Sequence, residues 1–412
     1  MKFKGIFTGL LTFVLFACAS PSKNSQAGPE WISNMHRLSA AHLHLIPFVA
    51  DGRKFSDPTR REEVRRHLRL MAESSTGIVE DSKAPTADPL IQFTSVEFNK
   101  DVKRAYSAFE SGDHQAARFA LGRTSSYCIS CHTRADRGIK DFELGWTSEL
   151  SQLGPLQQVE YYLANRRYKT AFTKAESLAG SESLARNEPR LWIATVQRAL
   201  AMVVRVNKSA TQAERLVKLV AANKGAPYYI RRDAGTWLRD IQDWRATETK
   251  GPITFRTAVR LVQKAQKAGP RNSAALILHL RASGMLHELM EDSKSSRYGE
   301  SLLYAGIVAD SLRDLSLGSL DQYYYGSCIN HQPHTELAEM CFSRLESSVR
   351  AANPFIEMDT VSEFEVNAQL AEFRKLAEVK NFIDYPIWKS RPWEEYDQWD
   401  QENESTRPKR ER

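Results

Sequence analysis

Cys128, Ile129, Ser130, Cys131 and His132 form a Cys-x-x-Cys-His run, a spacing of thiols and imidazole that has a defined chemistry. On a helix the two thiols lie about one turn apart, so both can add to the vinyl groups of one haem while the imidazole that follows faces the iron. Two other chemistries use paired cysteines. A redox dithiol wants a strand-to-helix junction and a lowered thiol pKa, and no strand pattern precedes Cys128. A zinc site wants further ligands at finger-like spacing, which are missing nearby. The run therefore predicts one covalent haem c, with Cys128 and Cys131 as thioether attachments and His132 as the proximal iron ligand.

The start of the chain sets the compartment. Lys2 and Lys4 make a positive n-region, and Ile6 to Phe16 is an apolar stretch of signal-peptide length, too short for a permanent membrane span. Leu15-Phe16-Ala17-Cys18 resembles a bacterial lipobox, which implies cleavage before Cys18 (signal peptide 1–17) and lipidation of its thiol. An ordinary cleaved signal with a leftover cysteine is the plainer alternative. Residues 18–29, rich in Ser, Pro and Gly from Ser20 to Gly28, suit a flexible tether. Ala19, in place of an Asp, implies by the same resemblance an outer-membrane location facing the periplasm.

At 412 residues and 42% hydrophobic content the chain is long enough for more than one buried core. The formal charge of +7 is modest, and its basic residues are interleaved with acids, so nucleic-acid binding has little support. Helical periodicity dominates and alternating β-branched runs are scarce. The expected fold class is all-α.

Four helices are expected to position the motif, in a unit spanning 30–140. Glu30 to about Val49 carries Ile32, Met35, Ser39, His42 or Leu43, and Ile46 on one stripe. Ser56-Asp57-Pro58 is a cap followed by proline at a first helical position, and Val64, Leu68, Met71 and Ile78 mark a second helix. Asp81 to Pro89 reads as a loop, and a third helix runs from about Ser95 to Ser111. Gly112-Asp113 makes a turn and caps a fourth helix, with Ala117, Leu121, Thr124, Cys128 and Cys131 on one face, that runs to Gly138. Short loops between neighbours favour an up-down-up-down bundle.

With the haem run near the end of the last of four helices, behind a phenylalanine and a Gly-Asp turn, residues 30–138 resemble the cytochrome c-prime family of four-helix-bundle cytochromes. In ordinary small cytochromes c the motif lies near the start of the domain. The resemblance covers about a quarter of the chain and implies a haem protein for electron transfer or for binding small gases.

The second axial position separates those two roles. In an antiparallel bundle the end of the last helix faces the start of the first, and at roughly 1.5 Å per residue Met35 and His132 come to nearly the same level. Met35 is the candidate distal ligand, matching the Met/His ligation of electron-transfer cytochromes, although methionine also fills cores. His36 ligates instead if the helix is rotated, while His42 lies deeper along it and His44, like His42, reads as a surface or interface histidine. Arg134, Arg137 and Lys140 follow the motif and either neutralise haem propionates or, more plainly, complement a helix end. Tyr127 packs on a porphyrin edge or points to solvent.

From 150 to 385 helices recur in pairs, among them Leu156 to Asn165 with Tyr168 to Leu178, Pro189 to Val206 with Thr211 to Ala222, and Leu302 to Leu312 with Leu320 to Asn330. Tyr161, Leu163, Tyr168 and Ala171 resemble the aromatic and small positions of tetratricopeptide hairpins, in a degenerate form without the family's full signature. Such a solenoid implies a surface for a protein partner, or only a scaffold for the bundle. Cys328 and Cys341 flank the turn His331-Gln332-Pro333-His334, so antiparallel helices would bring them together as a structural disulfide in an oxidising compartment. His331 and His334 read as turn residues before metal ligands. Residues 386–412 are polar and charged and read as a disordered tail.

No GxSxG elbow, HExxH or P-loop occurs. The expected function is a cell-envelope c-type cytochrome lipoprotein that transfers electrons or binds a small gas, with a helical-repeat docking module and a redox partner protein, and not an enzyme. The alternatives are an interaction scaffold with a structural haem and, more weakly, a haem peroxidase with His36 as its acid-base residue.

Overall fold

A computed structural model describes residues 28–80, 88–133, 150–151, 153–247, 253–269, 272–315, 319–352 and 360–379. Among the described residues all regular structure is helical, so the all-α expectation holds. The export segment with Cys18 and Ala19, the tether up to residue 27, Arg134, Arg137 and Lys140, and the tail from 386 lie outside the described residues.

The first unit comprises α1 (Pro29–Ala50), a short α2 (Gly52–Phe55), α3 (Arg61–Glu80), α4 (Pro89–Glu110), α5 (His114–Gly122) and α6 (Thr124–His132). Its starts are chemically marked. The Asp57 carboxylate accepts from Thr59 N at 2.9 Å, Asp88 from Leu90 N at 2.8 Å and Asp113 from Ala116 N at 2.9 Å, each satisfying a helix N–H that has no intrahelical acceptor. Gly112 supplies the positive φ of 85° that turns α4 into α5. Trp31, Leu38, Ala41, Leu45 and Phe48 of α1 pack with Val64, Leu68, Met71, Phe98, Val102, Phe109, Ala117 and Leu121 in one core.

Two boundaries differ from the periodicity reading. The third helix begins at Pro89, six residues before Ser95, because Asp88 caps it and proline fits its first position. The fourth is two helices. Gly122 lowers helix propensity, Arg123 is a single-residue joint, and the Thr124 hydroxyl donates back to the Leu121 carbonyl at 2.7 Å, so the last helix restarts one turn before Cys128 and ends at His132.

The second half runs α7 (Pro155–Ala164), α8 (Tyr168–Ala179), α9 (Glu182–Asn187), α10 (Pro189–Arg205), α11 (Ala210–Ala222), α12 (Tyr228–Thr247), α13 (Phe255–Lys267), α14 (Leu276–Leu289), α15 (Tyr298–Ser311), α16 (Leu320–His331), α17 (Glu336–Ala352) and α18 (Thr360–Ala377). Most neighbours in sequence pack as neighbours in space, and α10, with Trp192, Leu200 and Met202 fully buried, also touches α7, α8 and α14. The core of this half includes Leu90 of α4 and Ile129 of α6, so apolar packing is continuous between the halves.

Candidate functional site

Side chains of α6 reach neighbours in three directions. Towards α4, buried Tyr127 donates to the Asp101 carboxylate at 2.7 Å and meets Phe98 edge-on at 5.9 Å, and Arg104 donates to the other Asp101 oxygen at 2.8 Å. Tyr127 is thus a bundle residue, spent inside the core. Towards α7 and α8, Ile129 enters the core of the second half and Cys128 packs against it. Towards α1, His42 Nε2 and Ser125 Oγ lie 3.1 Å apart.

His132 is the last residue of α6 and is held from the second half at both its polar ends. Its Nδ1 lies 2.5 Å from the Ala164 carbonyl, and its own carbonyl accepts from the Tyr168 hydroxyl at 2.7 Å. A carbonyl only accepts, so Nδ1 carries the proton and Nε2 keeps its lone pair. Burial, and behind it the Arg166 guanidinium, push the imidazole pKa down to about 3, so the ring is neutral across ordinary pH. A neutral imidazole oriented by an Nδ1–H···O=C bond is the form that binds iron.

Cys128 and Cys131 stand three residues apart on α6, half-buried, and neither sits in a disulfide. Burial, then the neighbouring Cys131, pushes the Cys128 thiol up to about 12. Cys128 stands at the middle of its helix and Cys131 in its last turn, away from the N-terminal end where the macrodipole favours a thiolate. An activated redox dithiol needs the opposite on both counts. The donor set, two free cysteines followed by one imidazole with a vacant lone pair, fits a covalently attached haem.

The register between α1 and the α5–α6 pair is antiparallel. Arg118 Nε donates to the Val49 carbonyl at 2.8 Å, and His42 meets Ser125, so seven residues back along α1 match seven residues forward along α5–α6. Seven residues are about two helical turns, so the same face is presented again. Continued once more, this register would bring Met35 to the level of His132. Met35 is half-buried against the bundle core beside Trp31 and Leu38, with His36 half-buried next to it. His42 is buried, which pushes its pKa down to about 4, and His44 is exposed and stacks on His67 with ring centroids 4.4 Å apart.

Periodicity placed the turn between α7 and α8 but not what it touches. Ser39 donates to the Asn165 side chain at 2.5 Å, one residue beyond the Ala164 carbonyl, so this turn touches both α1 and α6. Backbone carbonyls have no sequence signature, and the only local signal was the basic pair Arg166-Arg167 at a helix end. Equally silent was a buried network: Asp88 accepts from His287 of α14 and from the Tyr324 hydroxyl of α16 at 3.2 Å, while Phe93 and Tyr323 pack beside it at 4.9 Å.

Farther along, Cys328 of α16 and Cys341 of α17 are joined, S–S 2.07 Å, with both residues fully buried. His331 packs edge-on against Tyr298 at 4.9 Å, and His334, with φ of 63°, donates from Nδ1 to the Glu378 carbonyl at 3.0 Å. Among the described residues no group of three or more His, Cys, Asp or Glu side chains is arranged to hold a metal ion, and no helix is long and apolar enough to cross a membrane. Compared with protein-family models, curated proteins and solved structures, the chain matches none of them.

Proposed function

We propose that the chain is an exported c-type cytochrome, anchored through Cys18 to the cell envelope, that carries one haem on Cys128 and Cys131 with His132 as proximal ligand and transfers electrons to a protein partner. The observation that carries this reading is the His132 imidazole, neutral and with Nδ1 committed to the Ala164 carbonyl, on the same short helix as two free cysteines, of which Cys128 is kept protonated by burial. When bound, the haem supplies a one-electron iron couple. The protein's part is to hold the group and orient its ligands: α6 presents both thiols and the imidazole, the Ala164 carbonyl fixes the ring plane, and Tyr168 anchors the helix end.

Met35 is the second axial ligand in this reading, supported by the α1 register, and a thioether there raises the potential into the electron-transfer range. The helical hairpins of the second half, tetratricopeptide-like in type, serve as the docking module. Tyr228, 74% exposed, and Tyr229, 49% exposed, open α12 beside the exposed Arg231 and Arg232, an aromatic and basic patch suited to an acidic redox partner.

Full-length protein produced in a host with c-type maturation tests the reading. It is expected to gain the mass of one haem that survives denaturation, and unmodified thiols at Cys128 and Cys131 would end the cytochrome proposal. Carbon monoxide separates the roles: poor binding that becomes rapid in Met35→Ala supports Met ligation and electron transfer, whereas ready binding by the unaltered ferrous protein moves gas binding ahead.

A further inference from the structure

Arg166 stands in the α7–α8 turn, two residues after the carbonyl that holds His132, in the left-handed region at φ of 58°. A residue other than glycine holds that conformation at a cost of roughly 1 kcal/mol, which the surrounding structure has to offset. The chain on either side is pinned: Asn165 accepts from Ser39 at 2.5 Å, and Tyr168 donates to the His132 carbonyl at 2.7 Å. The backbone therefore fixes where the Arg166 side chain starts. Its Nη1 is enclosed with no hydrogen-bond partner among the described residues. The nearest acid on α7, Glu160, is engaged by Arg198 of α10 at 2.7 Å. A buried guanidinium N–H without an acceptor is costly, and this one stands two residues from the carbonyl that holds the His132 ring.

We propose that Arg166 binds a carboxylate of the haem, gripping the planar anion through the guanidinium fork. This rests on the cytochrome reading above and deepens it: the group held by the bundle is also bound by the second half of the chain. Haem carboxylates project from the macrocycle edge and each offers two oxygens, the geometry that arginine matches and lysine does not. A protein carboxylate has the same chemistry, so the experiment distinguishes the two sources.

Full-length, haem-loaded wild type, Arg166→Gln and Arg166→Lys are compared for covalent haem content, midpoint potential and the propionate bending vibration in resonance Raman spectra. Arg166→Gln is expected to keep its haem on Cys128 and Cys131, to shift to a lower potential because a cation near the iron is lost, and to move the propionate vibration. Arg166→Lys is expected to retain most of the potential while still moving the vibration, since one ammonium cannot reproduce the paired hydrogen bonds. Full haem content with wild-type potential and vibration in Arg166→Gln overturns the proposal, and so does a lowered melting temperature with both spectral readouts unmoved, which assigns the guanidinium to a protein carboxylate. If Arg166→Gln fails to accumulate, an unmoved vibration in Arg166→Lys overturns it instead. A wild-type protein without covalent haem would bring down the cytochrome reading itself, a different failure from any of these.

Discussion

The chain uses cysteine pairs in two ways, and the contrast separates its two halves. Cys328 and Cys341 stand on different helices, α16 and α17, thirteen residues apart across a turn, and are bonded in the core. Cys128 and Cys131 share one short helix, remain half-buried and stay thiols. The first pair closes a hairpin. The second is presented, on a helix whose own bundle covers only part of it and whose last residue is held by a carbonyl from the other half. A second half able to prop its neighbour needs its own staple, while the propped helix keeps both cysteines free, as the proposed haem attachment requires.

The largest effect that can break this comparison comes from exchanging the pairs' fates. Cys128→Ala with Cys131→Ala is expected to abolish covalent haem, read by mass after denaturation, while melting of the second half changes little. Cys328→Ala with Cys341→Ala is expected to leave haem attachment intact and to cost about 3 kcal/mol in the chain-entropy treatment of a loop this size, read as a lowered denaturation midpoint. Haem loss in the second double variant would mean that the hairpin at α16 and α17 supports the motif helix after all.

Next in size is an acid window. His279 of α14 is 2% exposed, and burial pushes its pKa from 6.5 down to about 4. The unfolded chain therefore takes up a proton near pH 6.5 that the folded chain refuses until about pH 4. This contribution is complete above the unfolded pKa and is lost as pH falls through that window, by about 3 kcal/mol at the acid end for a shift of this size. Denaturant midpoints from pH 7 to 4 check the sign. His279→Gln is expected to flatten that slope, and an unchanged slope would move the acid sensitivity to other histidines whose pKa burial lowers, His42 and His67 in the first unit and His331 in the second half.

How far the fold was legible follows the same division. Caps and turns were readable where Asp57, Asp113 and Gly112 act on their immediate neighbours, whereas the Asp88 cap was passed over because Asp81 to Pro89 read as loop, and the disulfide was readable because its cysteines straddle a local turn. The break at Arg123 was not, since Cys128 and Leu121 fit one continuous stripe and only the Thr124 back-bond and Gly122 tip the balance. The motif gave the thiols and the imidazole as candidates. The groups that orient them were hidden, because Ala164 acts through its backbone and Asn165 reaches Ser39 across 126 positions. The Asp88 network spans 199 positions to His287 and 236 to Tyr324, distances at which pairing leaves no trace in one sequence.

The smallest effect is also the most direct test of which half holds α6. Tyr168 donates to the His132 carbonyl from the second half, and Tyr127 donates to Asp101 within the bundle. Each Tyr→Phe change removes one hydrogen bond and keeps the ring, a loss of about 1 kcal/mol. Asp101 retains Arg104, so Tyr127→Phe is expected to lower stability without altering the environment of His132. Tyr168→Phe frees the carbonyl at the very end of the helix, and in haem-loaded protein it is expected to shift the haem absorption bands or the midpoint potential at a similar small cost in melting temperature. The opposite pattern, a spectral change in Tyr127→Phe and none in Tyr168→Phe, would show that the bundle alone orients the imidazole and that the second half merely lies against it.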